Sequence, residues 1–146
     1  MPTTLGRPYS VAWRGKYPHM LPEDWPVWDM FLDLYGGEFK HFYYDVRVGG
    51  PKIEDPAINP KMAKMWYDLN AKRIDALGEK EDEVWIIEVA ASPGLRALGQ
   101  LTTYLALWWE DPKPPKKAIP VLVGERIDHD LKKALWLYGM RSCEIR

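Results

Sequence analysis

The stretch VWIIEVA, residues 84–90, decides how this chain is read. Six of its seven residues are apolar, and most are β-branched or aromatic, the composition of a strand. A strand with no polar face is covered on both sides, which places it at the centre of a layered α/β sheet. Glu88 breaks the run. A charged side chain in a central strand costs several kcal/mol unless it is paired, hydrogen-bonded or metal-bound. Strand alternation puts Val84, Ile86, Glu88 and Ala90 on one face.

Upstream, AKRIDAL (residues 71–77) reads as a second strand, joined to the first by the acidic turn GEKEDE (residues 78–83). Asp75 is again an acid among apolar neighbours, and a hairpin of this length brings Asp75 beside Glu88 near the strand ends. Each acid alone has a plain alternative, an arginine partner or a solvated strand end. Two carboxylates held together are how proteins hold Mg²⁺ or Mn²⁺ against phosphate oxygens.

Downstream, Ser92-Pro93-Gly94 leads into LRALGQLTTYLALWW (residues 95–109), a helix whose Leu98, Leu101, Leu105 and Trp108 form an amphipathic stripe. Arg96, Gln100 and Tyr104 stand at i, i+4 and i+8, a polar stripe on its flank or an ordinary solvated edge. A Pro/Lys loop follows at residues 110–117, then the buried strand AIPVLVG (residues 118–124). Asp128 caps a helix running to about Tyr138, Gly139 stops it, and residues 141–145 form an edge strand. Near the start, Leu21-Pro22-Glu23-Asp24 opens a helix over residues 25–35, with Trp25, Trp28, Leu32 and Tyr35 as its apolar stripe. Gly36-Gly37 ends it, and residues 38–48 read as a strand. Residues 51–60 are a proline-rich loop and residues 61–69 a short helix. This order predicts an α/β fold, a mixed central sheet flanked by helices, over residues 22–146, with residues 1–21 as an N-terminal arm.

A chain of 146 residues builds one core without metal or disulfide staples, and the lone Cys143 excludes an internal disulfide. His19, His41 and His129 are scattered with no cysteine pair, which argues against a structural zinc site. No apolar run approaches the roughly 18–20 residues of a membrane span. The N-terminus has no hydrophobic signal core, so the expectation is a soluble, non-exported protein without membrane partners. The net charge of −1 carries no global nucleic-acid signature, yet residues 1–22 are net +3, residues 23–111 net −8 and residues 112–146 net +4. Arg7, Arg14, Lys113, Lys116 and Lys117 are candidates for a local basic groove, the last three otherwise a solvated loop. An exposed tryptophan such as Trp109 would mark a protein interface.

Asp75, twelve residues, then Glu88-Val89-Ala90 resembles the D-X(n)-(D/E)-X-K pattern of the PD-(D/E)XK nuclease superfamily. IIEVAASPGLRALGQLTTY is similar to that superfamily's second motif strand and following helix, and Gln100 and Tyr104 match a Gln-x-x-x-Tyr pair that lines the DNA side in many members. The resemblance covers about residues 25–125. It implies a restriction-endonuclease-like core, a Mg²⁺ or Mn²⁺ site at Asp75 and Glu88, and a DNA-facing pair at Gln100 and Tyr104. It also implies an added acid from the first helix, for which Glu23, Asp24, Asp29 and Asp33 are open candidates.

The departure is Ala90, where the superfamily carries its catalytic lysine. Losing one preorganised charge of this kind typically costs about a hundred- to a thousandfold in rate. Arg96, Lys72 and Arg73 are the candidate substitutes. Arginine is a poor proton acceptor, and strand parity turns Lys72 away from Asp75. The resemblance thus implies a catalytically degenerate nuclease fold kept for DNA binding, or for protein contacts in phage head–tail assembly, in a host cytoplasm or a virion. The alternatives are an active Mg²⁺-dependent nuclease with a substituted basic residue, and an interaction module whose acids are structural.

Overall fold

Most strand ends fall where the sequence supplies a breaker or a charge. The computed structural model describes residues 3–50, 55 and 57–145. Its strands are β1 (His41–Val48), β2 (Lys72–Glu79), β3 (Glu83–Ala90), β4 (Lys117–Gly124) and β5 (Arg141–Glu144). Its helices are α1 (Trp25–Tyr35), α2 (Pro60–Asn70), α3 (Arg96–Trp108) and α4 (His129–Leu137). One mixed sheet has the order β1-β2-β3-β4-β5. β1, β2 and β3 form an antiparallel meander, while β4 and β5 run parallel to β3. Each parallel step is bridged by a helix, α3 and then α4.

Two cores sandwich this sheet. On one face Val27, Trp28, Phe31 and Leu32 of α1 meet Phe42, Tyr44, Ile87, Val89 and Val121. On the other, Leu101, Tyr104 and Trp108 of α3 and Leu131 and Leu135 of α4 meet Val84, Ile86 and Leu122. Both faces of β3 are therefore covered, as its apolar run requires.

Several boundaries differ from the sequence reading. β1 starts at His41 because Gly36–Glu38 first closes one 3-10 turn. β2 runs on to Glu79, and Lys80 N–H bonds Glu83 C=O at 2.8 Å, so the turn is shorter than residues 78–83. The buried stripe of α1 is Val27, Trp28, Phe31 and Leu32; Trp25 is half-buried and Tyr35 exposed. The helix rolls so that Trp28 and Phe31 stack, ring centroids 4.8 Å apart, and both vanish from the surface. Residues 51–54 and 56 of the predicted proline-rich loop lie outside the described residues. The lead-in lies along β1: Thr4 and Tyr9 bridge Arg47 and Phe42, and Tyr17 and Met20 enter the α1-side core.

Candidate functional site

Two strands that pair regularly over their apolar middles part where their acids begin. The β2–β3 pairing ends at Ala76–Ile87, one step short of the position where Asp75 would face Glu88. There Asp75 Oδ2 accepts the Val89 N–H at 2.9 Å, and the Asp75 and Glu88 carboxyls lie within hydrogen-bonding reach of each other. Asp75 is 7% exposed. Glu88 accepts the Tyr104 hydroxyl at 3.4 Å. No cation is paired with either acid among the described residues.

Burial pushes both carboxyls well above the ordinary carboxylate range, and for Glu88 the neighbouring Asp75 charge adds to it. The two carboxyls therefore titrate as a pair, each holding its proton more firmly than a free carboxyl.

The opposite side of β2 has its own irregularity. The β1–β2 register would set Asp45 against Asp75, but that pair is missing. Asp45 sits at φ +53°, in the left-handed region where Asp is tolerated because its short side chain bonds locally. Its carboxylate takes two short bonds from Arg73, 2.7 Å from Nε and 2.6 Å from Nη2. Phe42 and Tyr44 pack on the α1 side while Val46 and Val48, of the same parity, pack on the α3 side. The two strands thus change faces at Asp45 and Asp75.

Asp75, Glu88 and Ala90 open onto a cleft of ≈ 310 Å³, whose rim includes Asp24, Arg96 and Gln100. Asp24, in the 3-10 turn Pro22–Asp24 before α1, is buried and accepts the Ala91 N–H at 2.9 Å. Burial raises its pKa as well. Arg96, Gln100 and His19 are shared with a wider adjoining cleft of ≈ 630 Å³, lined also by Lys72, Arg73 and Tyr104.

The expected residues thus converge, with corrections. Asp75, Glu88, Arg96 and Gln100 line one cleft. Tyr104 does not share the polar flank: its ring is 6% exposed, in the core with Leu101 and Trp108, and only its hydroxyl reaches the site. Of the four acids near α1, Asp24 alone lines the cleft; Glu23 is exposed, Asp29 bonds the Tyr17 hydroxyl, and Asp33 pairs with Arg14 at 2.9 Å. Among the proposed lysine substitutes, Arg73 is held by Asp45. Lys72 lines the adjoining cleft instead of turning away, because parity fails where the strand changes faces. Of the basic-groove candidates, Arg14 sits on Asp33, Lys113 on Asp111, Lys116 on Glu79 and Arg7 over the Tyr9 ring, and none of these nor Lys117 lines either cleft. Trp109 is exposed, 53%.

Sequence reading missed His19. It sits at φ +67° in a turn pinned by buried Tyr17 and Met20, with the Met20 N–H on the Tyr17 carbonyl at 3.3 Å. Burial lowers its pKa, so the imidazole is neutral at pH 7. Among the described residues, His19 and Asp45 are the two non-glycine positions with positive φ; His19 lines both clefts and Asp45 holds Arg73 on the wall of the wider one, and strained backbone often marks function.

Comparison with known proteins finds no matching family model, no matching curated protein and no matching solved structure.

Among the described residues no three His, Cys, Asp or Glu side chains are preset around a metal position. The donor chemistry nonetheless fits a hard divalent cation: carboxylate oxygens at Asp75 and Glu88, Asp24 on the rim, and no ammonium or guanidinium bonded to them. Nor is any helix among the described residues long and apolar enough to cross a membrane.

Proposed function

We propose that this chain is a PD-(D/E)XK-like protein that binds a divalent cation at Asp75 and Glu88, takes nucleic-acid phosphate in the adjoining clefts, and cleaves weakly or not at all. The observation that carries the reading is the pair of carboxyls at Asp75 and Glu88, held together at the inner end of a cleft with no cation bonded to either among the described residues. Asp75 and Asp24 each accept a backbone N–H, so each has a structural use. Glu88 has none: it meets a second acid and a long tyrosine bond. Burying it there opposes folding unless a cation replaces the pair's protons. A bound Mg²⁺ or Mn²⁺ would supply Lewis-acid polarisation of a phosphate oxygen. Asp75 and Glu88 would hold it, Arg96 would offset phosphate charge, and Gln100 would orient the backbone from the same wall.

Ala90 lines the cleft, so the absent lysine leaves room where its ammonium would stand. Arg73, the best-anchored cation nearby, is occupied by Asp45, which favours binding over efficient cleavage. A second reading, an active nuclease with a substituted basic group, is favoured by Arg96 and His19 on the cleft wall. A role in phage head–tail assembly shares the first reading's inactive site, and its partner would be a protein.

The test compares wild type, Ala90→Lys and Glu88→Gln. Mn²⁺ at a hundredfold excess over Kd is expected to stabilise wild type by about 2.7 kcal/mol, read as a higher melting temperature, and not to stabilise Glu88→Gln. Plasmid cleavage with Mn²⁺ is expected to be faint in wild type and raised about a hundredfold or more in Ala90→Lys. Cleavage by wild type equal to that of Ala90→Lys selects the second reading. Equal melting in Mn²⁺ and EDTA removes both.

A further inference from the structure

Trp136 is 81% exposed on α4. It is not needed by the core, since Leu131 and Leu135 fill the buried side of that helix completely. A large aromatic side chain left in water is an informative exception to burial, and its surroundings are specific. His129, Lys132, Lys133 and Trp136 follow each other along one side of α4 at i, i+3, i+4 and i+7. With Arg141 and Ser142 at the start of β5 they line a surface depression of ≈ 550 Å³ that has no acidic residue in its wall. Lys132 is partly neutralised by Glu144 at 3.1 Å. Lys133 and Arg141 are exposed. The face lies two strands from Glu88 in the sheet order, separate from the carboxylate clefts.

We propose that this α4–β5 face binds single-stranded nucleic acid, with Trp136 stacking on a base and Lys133 and Arg141 meeting the flanking phosphates. Cations alone would suit any acidic polymer. The open indole in the same depression is what selects a ligand with flat rings joined by negative charges, because every base offers a π-face and stacking on an aromatic side chain is sequence-tolerant. Phosphate contacts make such binding fall steeply with salt. This inference goes beyond the carboxylate reading and needs no metal.

The experiment measures fluorescence anisotropy of a labelled oligo-dT strand with the full chain in EDTA at low salt. Wild type is expected to bind, with affinity falling as salt rises. Trp136→Ala is expected to weaken binding about tenfold, Trp136→Phe much less, and Lys133→Glu with Arg141→Glu at least as much as Trp136→Ala. These positions are exposed, so circular dichroism should stay at the wild-type spectrum, with only a small melting change where Arg141→Glu removes the guanidinium 5.6 Å from the Trp85 ring centroid. Glu88→Gln should bind the strand as wild type does, and Trp136→Ala should keep its Mn²⁺ response, which separates the two sites. Equal binding by wild type and Trp136→Ala overturns the proposal. So does no binding by wild type, or displacement by polyglutamate as effective as by unlabelled oligo-dT, which would assign the face to an acidic polypeptide.

Discussion

The β2–β3 hairpin carries buried acids at both ends, and the two ends solve the problem in opposite ways. At the turn end, Glu79 is 14% exposed and meets Lys116 at 2.6 Å and His41 at 2.8 Å. Burial works to raise its pKa, but the Lys116 and His41 contacts outweigh it and hold Glu79 below the usual range. At the open end, burial raises Asp75 and Glu88, and no cation among the described residues answers. The same strands therefore carry one acid with its counter-charges in place and, on the proposed metal-binding reading, a second whose counter-charge would come from a bound cation.

The comparison breaks most visibly at its completed end. Lys116→Met should leave Glu79 buried with only His41 and cost about 2 kcal/mol, less than a fully buried pair because both groups touch solvent. Thermal melting at pH 7 would show this as a fall of roughly 5 °C. A change within 1 °C would mean that the Glu79 pair contributes as little as a surface bridge, and the contrast with Glu88 would lose its reference.

Glu88→Gln should act in the other direction. The amide keeps a donor for Asp75 and removes the titrating group, so in EDTA the variant should gain on the order of 1 kcal/mol at pH 7.5. The sign follows from linkage. Asp75 and Glu88 have folded-state pKa values above their unfolded ones, so the folded state holds more protons from about pH 4 upward, and stability falls as pH rises through neutrality. Glu79 has a depressed folded pKa, so its contribution is present at neutral pH and lost as pH falls. Melting curves between pH 4 and pH 8 should therefore show the Glu88→Gln advantage growing with pH and the Lys116→Met deficit shrinking toward acid. A Glu88→Gln variant less stable than wild type at every pH would make the pair a structural hydrogen bond.

Much of this was legible in advance, for identifiable reasons. VWIIEVA declared a doubly covered strand, and Glu88 within it declared an exception, because both rest on local composition. What escaped depended on how elements roll and turn. Tyr104 is apolar over most of its area, so α3 rotates to bury its ring and leaves Arg96 and Gln100 at the rim. Asp24 was indistinguishable from Asp29 and Asp33 because periodicity does not tell which turn abuts the strand ends. Lys72 was misplaced because a left-handed Asp45 reverses the face of two strands, and only the register reveals that. His19 had no pattern around it; buried Tyr17 and Met20 aim it, and the sequence alone does not show them as anchors.

The finest probe of the open end is Tyr104→Phe. The ring stays in the core with Leu101 and Trp108, so packing is conserved and only the 3.4 Å bond to Glu88 is lost. A bond that long stabilises little, and the stability change should stay below about 1 kcal/mol. The effect should appear in the charge instead. The Tyr104 hydroxyl lowers the Glu88 pKa, against burial and the Asp75 charge that raise it, so its removal lets Glu88 hold its proton still more firmly. A cation must displace that proton, so Mn²⁺ affinity, read by calorimetry, should fall a few-fold at pH 7 and recover toward wild type as pH rises. A loss of affinity independent of pH would instead assign Tyr104 to shaping the cleft, leaving the protonation of Glu88 to burial and the Asp75 charge.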